Sequence, residues 1–237
     1  MLSSVNNHKV SAIVLAGGSG SRMSASVTKQ KMLIKGVSVL KRSVLAFEHC
    51  NDIDEIIVIV REDEVDFAKE ELKDIKKLSR IGIGGVTRAE SAECGFKLVS
   101  ECSEYVAIHD AARPLVTPEM ISEVVAAAKK KGAATAAAPV VDTIKLINNV
   151  GNIISTPARN MLIRATTPQI FRKDIYSLAL GKIVDKSNIT DDNMLVESIG
   201  VDVFAVVQKQ DNPKVTSRSD LIFIEALLEM EETYDRF

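Results

Sequence analysis

"VSAIVLAGGSGSRMSASVTKQK" occupies residues 10–31, and its reading decides the fold. The opening seven residues are nearly all apolar and in part β-branched, and Gly17-Gly18 cuts the run off. A short apolar run ended by glycines predicts a strand covered on both faces, as in a parallel sheet. Residues 54–60 (DEIIVIV) and 104–110 (EYVAIHD) read the same way. Residues 201–207 (VDVFAVV) supply a later strand, and 133–140 (AATAAAPV) another, against the helical preference of alanine.

Helical periodicity falls between these runs. Val65, Ala68, Leu72 and Ile75 recur at helical spacing, as do Ile121, Val124, Val125 and Ala128. Thr117-Pro118 places a cap residue and a first-turn proline before the second set, and Leu221, Ile224 and Leu228 mark a C-terminal helix. Strands alternating with helices predict an α/β fold: a doubly wound, mostly parallel, Rossmann-like sheet in a single domain over residues 1–237. Residues 141–167 break the rhythm. They alternate, carry an Asn-Asn and a Gly-Asn pair at 148–152, and show no helical period. That pattern predicts a β-hairpin arm at about residues 141–165, and an arm with little core of its own usually packs on something else, often a second subunit.

Composition narrows the class. With 46% hydrophobic residues the chain can bury a substantial core, and a formal charge of −2 gives no reason to expect nucleic acid or an acidic membrane as partner. Cys50, Cys94 and Cys102 form no CxxC pair and no metal-ligand spacing with His8, His49 or His109. No apolar run approaches the ~20 residues of a membrane span, and the N-terminus lacks a signal-peptide core. A cytoplasmic protein is expected.

Ligands of doubly wound sheets sit beyond the C-terminal ends of strands, so the chemistry is sought there. "AGGSGSR" after the first run offers Gly17, Gly18 and Gly20, whose backbone can approach a phosphate closely. It is not a Walker A loop, since no Gly-Lys-Ser/Thr follows, and it fails GxGxxG at Met23. Arg22 and Lys29, seven positions apart, add cations that stay protonated near neutral pH. "HDAARP" places Asp110 and Arg113 at the same edge; His109 completes an apolar strand and reads as a packed histidine. "GGVTRAES" repeats the glycine theme at Gly84 and Gly85, with Arg88 opening a helix and Ser91 within it. "TTPQIF" (166–171) reads as a kinked loop, "NITDD" (188–192) carries Thr190, and "NPKVT" (212–216) carries Lys214.

Taken in order, "AGGSGSRM", "TKQ", "GGVTRAES", "HDAARP", "DTIK", "TPQIF", "ITDD" and "KVT" resemble the polyol-phosphate cytidylyltransferases, in particular those acting on 2-C-methyl-D-erythritol 4-phosphate, over most of the chain. The resemblance implies transfer of a cytidylyl group from CTP to a polyol phosphate in non-mevalonate isoprenoid precursor synthesis, with Mg²⁺ held mainly by the CTP phosphates. It implies catalytic roles for Arg22, Lys29, Arg159 and Lys214, and nucleotide contacts from Ala16, Gly17, Gly18, Gly20, Gly84, Gly85 and Ser91. Asp110, Arg113, Thr143, Thr167 and Thr190 fall at positions for the polyol phosphate. It also implies a homodimer in which the arm carries Arg159 to the partner's site.

The chain departs from the family pattern at Thr28, usually proline, Lys31, usually aromatic, Val86, usually acidic, and Asn193, usually small. Three other readings stay open. A ribitol 5-phosphate cytidylyltransferase making CDP-ribitol would share fold and loop. A non-catalytic nucleotide-binding regulator would keep the glycines but could dispense with the cations. A glycosyltransferase would need an Asp-x-Asp after an interior strand, whereas the Asp52–Asp54 pair precedes one.

Overall fold

The computed structural model describes residues 9–17, 28–183 and 188–234. Strand β1 (Val10–Leu15) is buried along its whole length. A small hairpin, β2 (Leu33–Ile34) and β3 (Val37–Ser38), leads into α1 (Val39–His49), capped by the Ser38 hydroxyl accepting from Lys41 N–H. Then follow β4 (Glu55–Val60), α2 (Val65–Glu71), β5 (Leu78–Ile83), α3 (Arg88–Phe96), β6 (Tyr105–Asp110), α4 (Pro118–Lys131) and β7 (Ala133–Pro139). The arm contributes β8 (Leu146–Ile147) and β9 (Ile153–Ser155). The chain closes with β10 (Ile163–Arg172), α5 (Lys173–Lys182), α6 (Asp192–Glu197), β11 (Phe204–Val207) and α7 (Arg218–Tyr234).

Seven strands form one sheet in the order β11-β7-β10-β6-β1-β4-β5. The pairings β1–β4, β1–β6, β4–β5 and β7–β11 are parallel, and β10 runs antiparallel between β6 and β7. The apolar runs without alternation are explained by two cores, one per face. Ala12 and Val14 of β1 join Val58 of β4 against Leu40, Phe47, Ile121 and Val125. Ile13 and Leu15 point the other way, with Ile57 and Ile59, toward Ala92, Tyr176 and Leu195. Gly95 of α3 packs directly over Ile13 and Ile59, where a β-carbon has no room.

Three expectations change. "TTPQIF" is not a loop: residues 166–171 lie inside the ten-residue strand β10, whose pairing with β7 shifts register between Ala165 and Gln169. The shift accommodates Pro168, which has no N–H for a ladder. The arm accordingly ends earlier than residue 165, because Ile163 already pairs with Pro139. The run at 201–207 forms a strand only from Phe204. The alanine-rich run does form β7: six small, buried side chains suit a strand covered by α4, and tertiary packing overrides intrinsic propensity.

Candidate active site

The C-terminal ends of β1, β5 and β6 open onto one cleft. Leu15 and Gly17 come from the first, Gly85, Val86, Thr87 and Arg88 from the second, Asp110 and Ala112 from the third. Lys29, Gln30, Ser91 and Lys214 complete its lining. A second cavity is lined by Arg113, Thr166, Thr167, Gln169, Thr190 and Asp191. Arg88, Asp110 and Lys214 line both, so these three side chains form the partition between two compartments.

The partition is a charge network. Asp110 accepts from Arg88 Nε (3.0 Å) on one oxygen and from Lys214 Nζ (2.7 Å) on the other. Burial alone would raise the Asp110 carboxyl, yet Arg88 and Lys214 hold it well below the usual carboxylate range. Arg88 also donates through Nη1 to Asp192 at 2.6 Å. Burial pulls the Arg88 guanidinium down, but Asp192 and Asp110 outweigh it and raise it above the ordinary arginine value. Tyr176 donates its hydroxyl to the other oxygen of Asp192 at 2.6 Å; burial, then that negative charge, push the phenol well up. The result is a cleft with excess positive charge whose cations are aimed by fixed carboxylates.

Behind the partition the strands are cross-linked by neutral groups. Asp110 N–H donates to Thr167 Oγ1 at 3.1 Å, which leaves the hydroxyl proton for His109 Nδ1 at 3.0 Å. His109 Nε2–H then donates to the Arg113 carbonyl at 3.3 Å. Burial, the dominant influence, lowers the fully enclosed imidazole to about 3, so it is neutral and structural, as the sequence suggested. Gln169 receives Asp192 N–H at 2.9 Å and donates to Asp191 at 3.0 Å, tying β10 to α6. Asp191 caps that helix by accepting from Met194 N–H at 2.9 Å.

The glycine turn after β5 is set by packing as well as by access. A β-carbon on Gly84 would lie 2.7 Å from Ser91 Oγ, so α3 can approach the strand end only over glycine. Thr87 and Glu90 form a capping box, and Glu90 also accepts from Val86 N–H at 2.7 Å. The capping box thus fixes the α3 N-terminus at the cleft edge, taking up the Val86, Thr87 and Glu90 N–H groups itself. Val86 itself is 98% exposed.

Comparison with known proteins decides the family. A family model described as 2-C-methyl-D-erythritol 4-phosphate cytidylyltransferase matches residues 10–230. The chain belongs to that family. A relative of that name from Syntrophus aciditrophicus is 42% identical over 94% of this chain and 97% of its own. Another from Alkaliphilus oremlandii is 37% identical over 94% of this chain and 96% of its own. The crystal structure of 4-diphosphocytidyl-2C-methyl-D-erythritol synthase from Anaerococcus prevotii superposes with a TM-score of 0.85 at 30% identity, covering 95% and 98% of the two chains. That of the Thermus thermophilus cytidylyltransferase gives 0.74 at 26%, covering 92% and 98%.

Within this cytidylyltransferase, the cleft gathers Gly17, Lys29, Gly85, Ser91, Asp110 and Lys214, and the second cavity gathers Arg113, Thr167 and Thr190. Gly18, Gly20 and Arg22 lie outside the described residues. Ala16 and Gly84 stand one step back: their N–H groups donate to Ile59 and Val60 carbonyls. Ser91 directs its hydroxyl to the Thr87 carbonyl at 2.9 Å. Thr143 and Arg159 are exposed on the arm and line neither compartment of their own chain. Sequence reasoning passed over Arg88, noticed only as a helix opener, although it lines both compartments. It also passed over Gln30, which lines the cleft with a buried Oε1 that has no hydrogen-bond partner among the described residues. A polar residue within the "TKQ" motif was the available signal.

Proposed function

We propose that this chain joins CTP to 2-C-methyl-D-erythritol 4-phosphate, giving 4-diphosphocytidyl-2-C-methyl-D-erythritol and pyrophosphate for isoprenoid precursor synthesis. Family membership supports the reaction. The observation that carries the geometry is the shared wall: two compartments meet at Arg88, Asp110 and Lys214. CTP takes the glycine-lined cleft, and the polyol phosphate takes the cavity with Arg113 and Thr190. At the partition, an oxygen of the phosphate monoester forms a bond to the α-phosphorus as the bond to the bridging oxygen of pyrophosphate breaks.

A phosphate monoester is already ionised at neutral pH, so the protein needs no strong base; positioning and charge stabilisation suffice. Lys29 and Arg22 stabilise negative charge on the triphosphate, and Lys214, held by Asp110, faces the transferring group. Both oxygens of Asp110 are engaged by cations, which suits a Mg²⁺ ion ligated mainly by phosphates and water and supplying further charge neutralisation.

The arm bears exposed Ile147, Val150, Ile153 and Met161, a surface suited to a second copy of the chain. In the proposed homodimer it delivers Arg159, with Thr143 nearby, to the partner's polyol-phosphate cavity. Among the described residues no helix is long and apolar enough to cross a membrane, and the proposed site of action is the cytoplasm, where CTP is supplied.

The test is pyrophosphate release with Mg²⁺, crossing CTP and UTP with methylerythritol 4-phosphate and ribitol 5-phosphate. Release with CTP and methylerythritol phosphate alone is expected. Preference for ribitol phosphate would move the substrate, and silence from folded protein that binds CTP would remove the enzyme. Lys29→Ala is expected to lower kcat by about 10²- to 10³-fold with the fold intact, as for a lost oxyanion donor.

A further inference from the structure

Thr28 and Lys31 flank Lys29 and Gln30, and both dock on the segment that follows β4. The Thr28 hydroxyl donates to the carboxylate of Glu64, in the Glu62–Glu64 turn that follows β4. Lys31 Nζ lies 5.0 Å from the centroid of the Phe67 ring, in the first turn of α2. Between these contacts residues 29–31 form a 3₁₀ turn, closed by Lys31 N–H on the Thr28 carbonyl at 3.0 Å.

Glu64 is an unusual anchor. It is 2% exposed, and its second carboxylate oxygen has no hydrogen-bond partner among the described residues. A carboxylate in that setting is costly to bury, and the Thr28 hydroxyl donates to its other oxygen. The turn that carries it is joined to β4, which pairs on both sides within the sheet. The clamp therefore transmits the position of an interior strand to the turn bearing Lys29. Thr28 has φ −68° and ψ 150°, backbone angles that proline adopts unaided. A proline ring would restrict this backbone by itself; here a hydrogen bond from the Thr28 side chain does so.

We infer that Glu64 is a positioning residue for the nucleotide site: with Phe67 it clamps residues 28–31 so that Lys29 stands at the cleft before CTP arrives. The inference rests on the proposed role of Lys29 at the triphosphate. Glu64 touches no substrate in this scheme; it acts through the turn, and its effect falls on CTP affinity and on kcat/KM for CTP.

The experiment measures CTP affinity by calorimetry, steady-state kcat and KM, and amide exchange over residues 29–32, for Thr28→Val, Glu64→Ala, the double variant, Glu64→Gln, Thr28→Pro, Thr28→Pro combined with Glu64→Ala, and Lys29→Ala. Thr28→Val and Glu64→Ala are each expected to weaken CTP about tenfold, the scale of one hydrogen bond to a charged group, and to speed exchange over 29–32. The double variant should be no worse than either single. Glu64→Gln, which keeps an acceptor, should retain CTP affinity within about twofold of wild type. In a Thr28→Pro background Glu64→Ala should become silent, because the ring replaces the clamp; a merely structural Glu64 would still matter there. Multiplying losses in the double variant, or an undiminished effect of Glu64→Ala in the Thr28→Pro background, overturn the inference. Faster exchange with unchanged CTP affinity overturns the positioning role but leaves the enzyme reading standing. Unchanged CTP affinity in every variant, Lys29→Ala included, overturns both.

Discussion

The cleft and the arm invert the usual placement of residues in opposite senses. At and behind the partition, Asp110, Asp192 and Gln169 are buried polar groups, each held by hydrogen bonds or ion pairs of 2.6–3.0 Å. On the arm, Val150 is 80% and Ile153 63% exposed. Ordinary exposed apolar residues carry little information, but buried charge and a contiguous bare apolar surface do. Each inversion points to a partner of matching chemistry: phosphates for the cations, another apolar surface for the arm. The cleft also stabilises its own arrangement, whereas the hairpin is tied by few contacts beyond β8–β9 pairing and the Lys145–Thr156 bond at 2.7 Å.

The largest expected break is on the cleft side. Arg88→Met leaves Asp192, whose side chain is 3% exposed, without its cation. Orphaning a buried charge costs about 3–5 kcal/mol, so urea unfolding should show a loss of that size together with loss of turnover. A loss below about 1 kcal/mol, the scale of an exposed pair, would mean that the partition is no more than a surface ion cluster.

His109 sharpens the comparison next. Its pKa falls from the ordinary 6.5 to about 3 because burial disfavours the imidazolium. The folded state thus binds fewer protons than the unfolded one below pH ~6.5, so stability is full above that value and declines as pH falls toward 3. The slope is about 1.4 kcal/mol per pH unit, or about 2 kcal/mol by pH 5. Asp110 is also depressed, but its contribution is lost only below its unfolded value near 3.8, leaving the window from pH 6.5 to 5 to the histidine. His109→Gln should flatten the unfolding midpoint over that window; an unaltered slope would mean that the imidazole is not desolvated.

The arm should give the smallest effect on the single chain. Ile153→Asp replaces an exposed residue, and a change within about 0.5 kcal/mol in chain stability is expected. If the proposed dimer forms through the arm, light scattering should nonetheless show it giving way to monomer, with kcat/KM for the polyol phosphate reduced about tenfold as the proposed contribution of Arg159 is withdrawn, the scale of ~1.4 kcal/mol. Intact dimers with normal kinetics would deny the arm its function.

Several elements were legible in the sequence for definite reasons. β1, β4 and β6 are continuous apolar runs because both faces are covered, and the hairpin at 148–152 announces itself through Asn and Gly. α4 was marked by Thr117 and Pro118, and the Thr117 hydroxyl accepts from Met120 N–H at 3.2 Å. β10 was not legible, since Thr-Thr-Pro signals a loop unless the strands on either side are known. β5 was passed over because at the sheet edge it is only partly buried and lacks a clear pattern. α1 was legible and missed: Leu40, Val44 and Phe47 recur at helical spacing after the Ser38 cap.

For the site, residue type and placement after strands pointed to Lys29, Asp110, Arg113 and Lys214, because a loop beyond a parallel strand lies at the ligand edge wherever the chain goes next. Local period and residue chemistry were enough to determine the layers and to put Lys29, Asp110 and Lys214 beyond the strand ends. Only the tertiary structure decided that Arg88, Asp110, Asp192 and Lys214 form one network, and that Thr28 leans on Glu64. Coulomb and hydrogen-bond energies depend on separation in space and on burial, and residues brought together by crossovers leave no trace of either in their spacing along the chain.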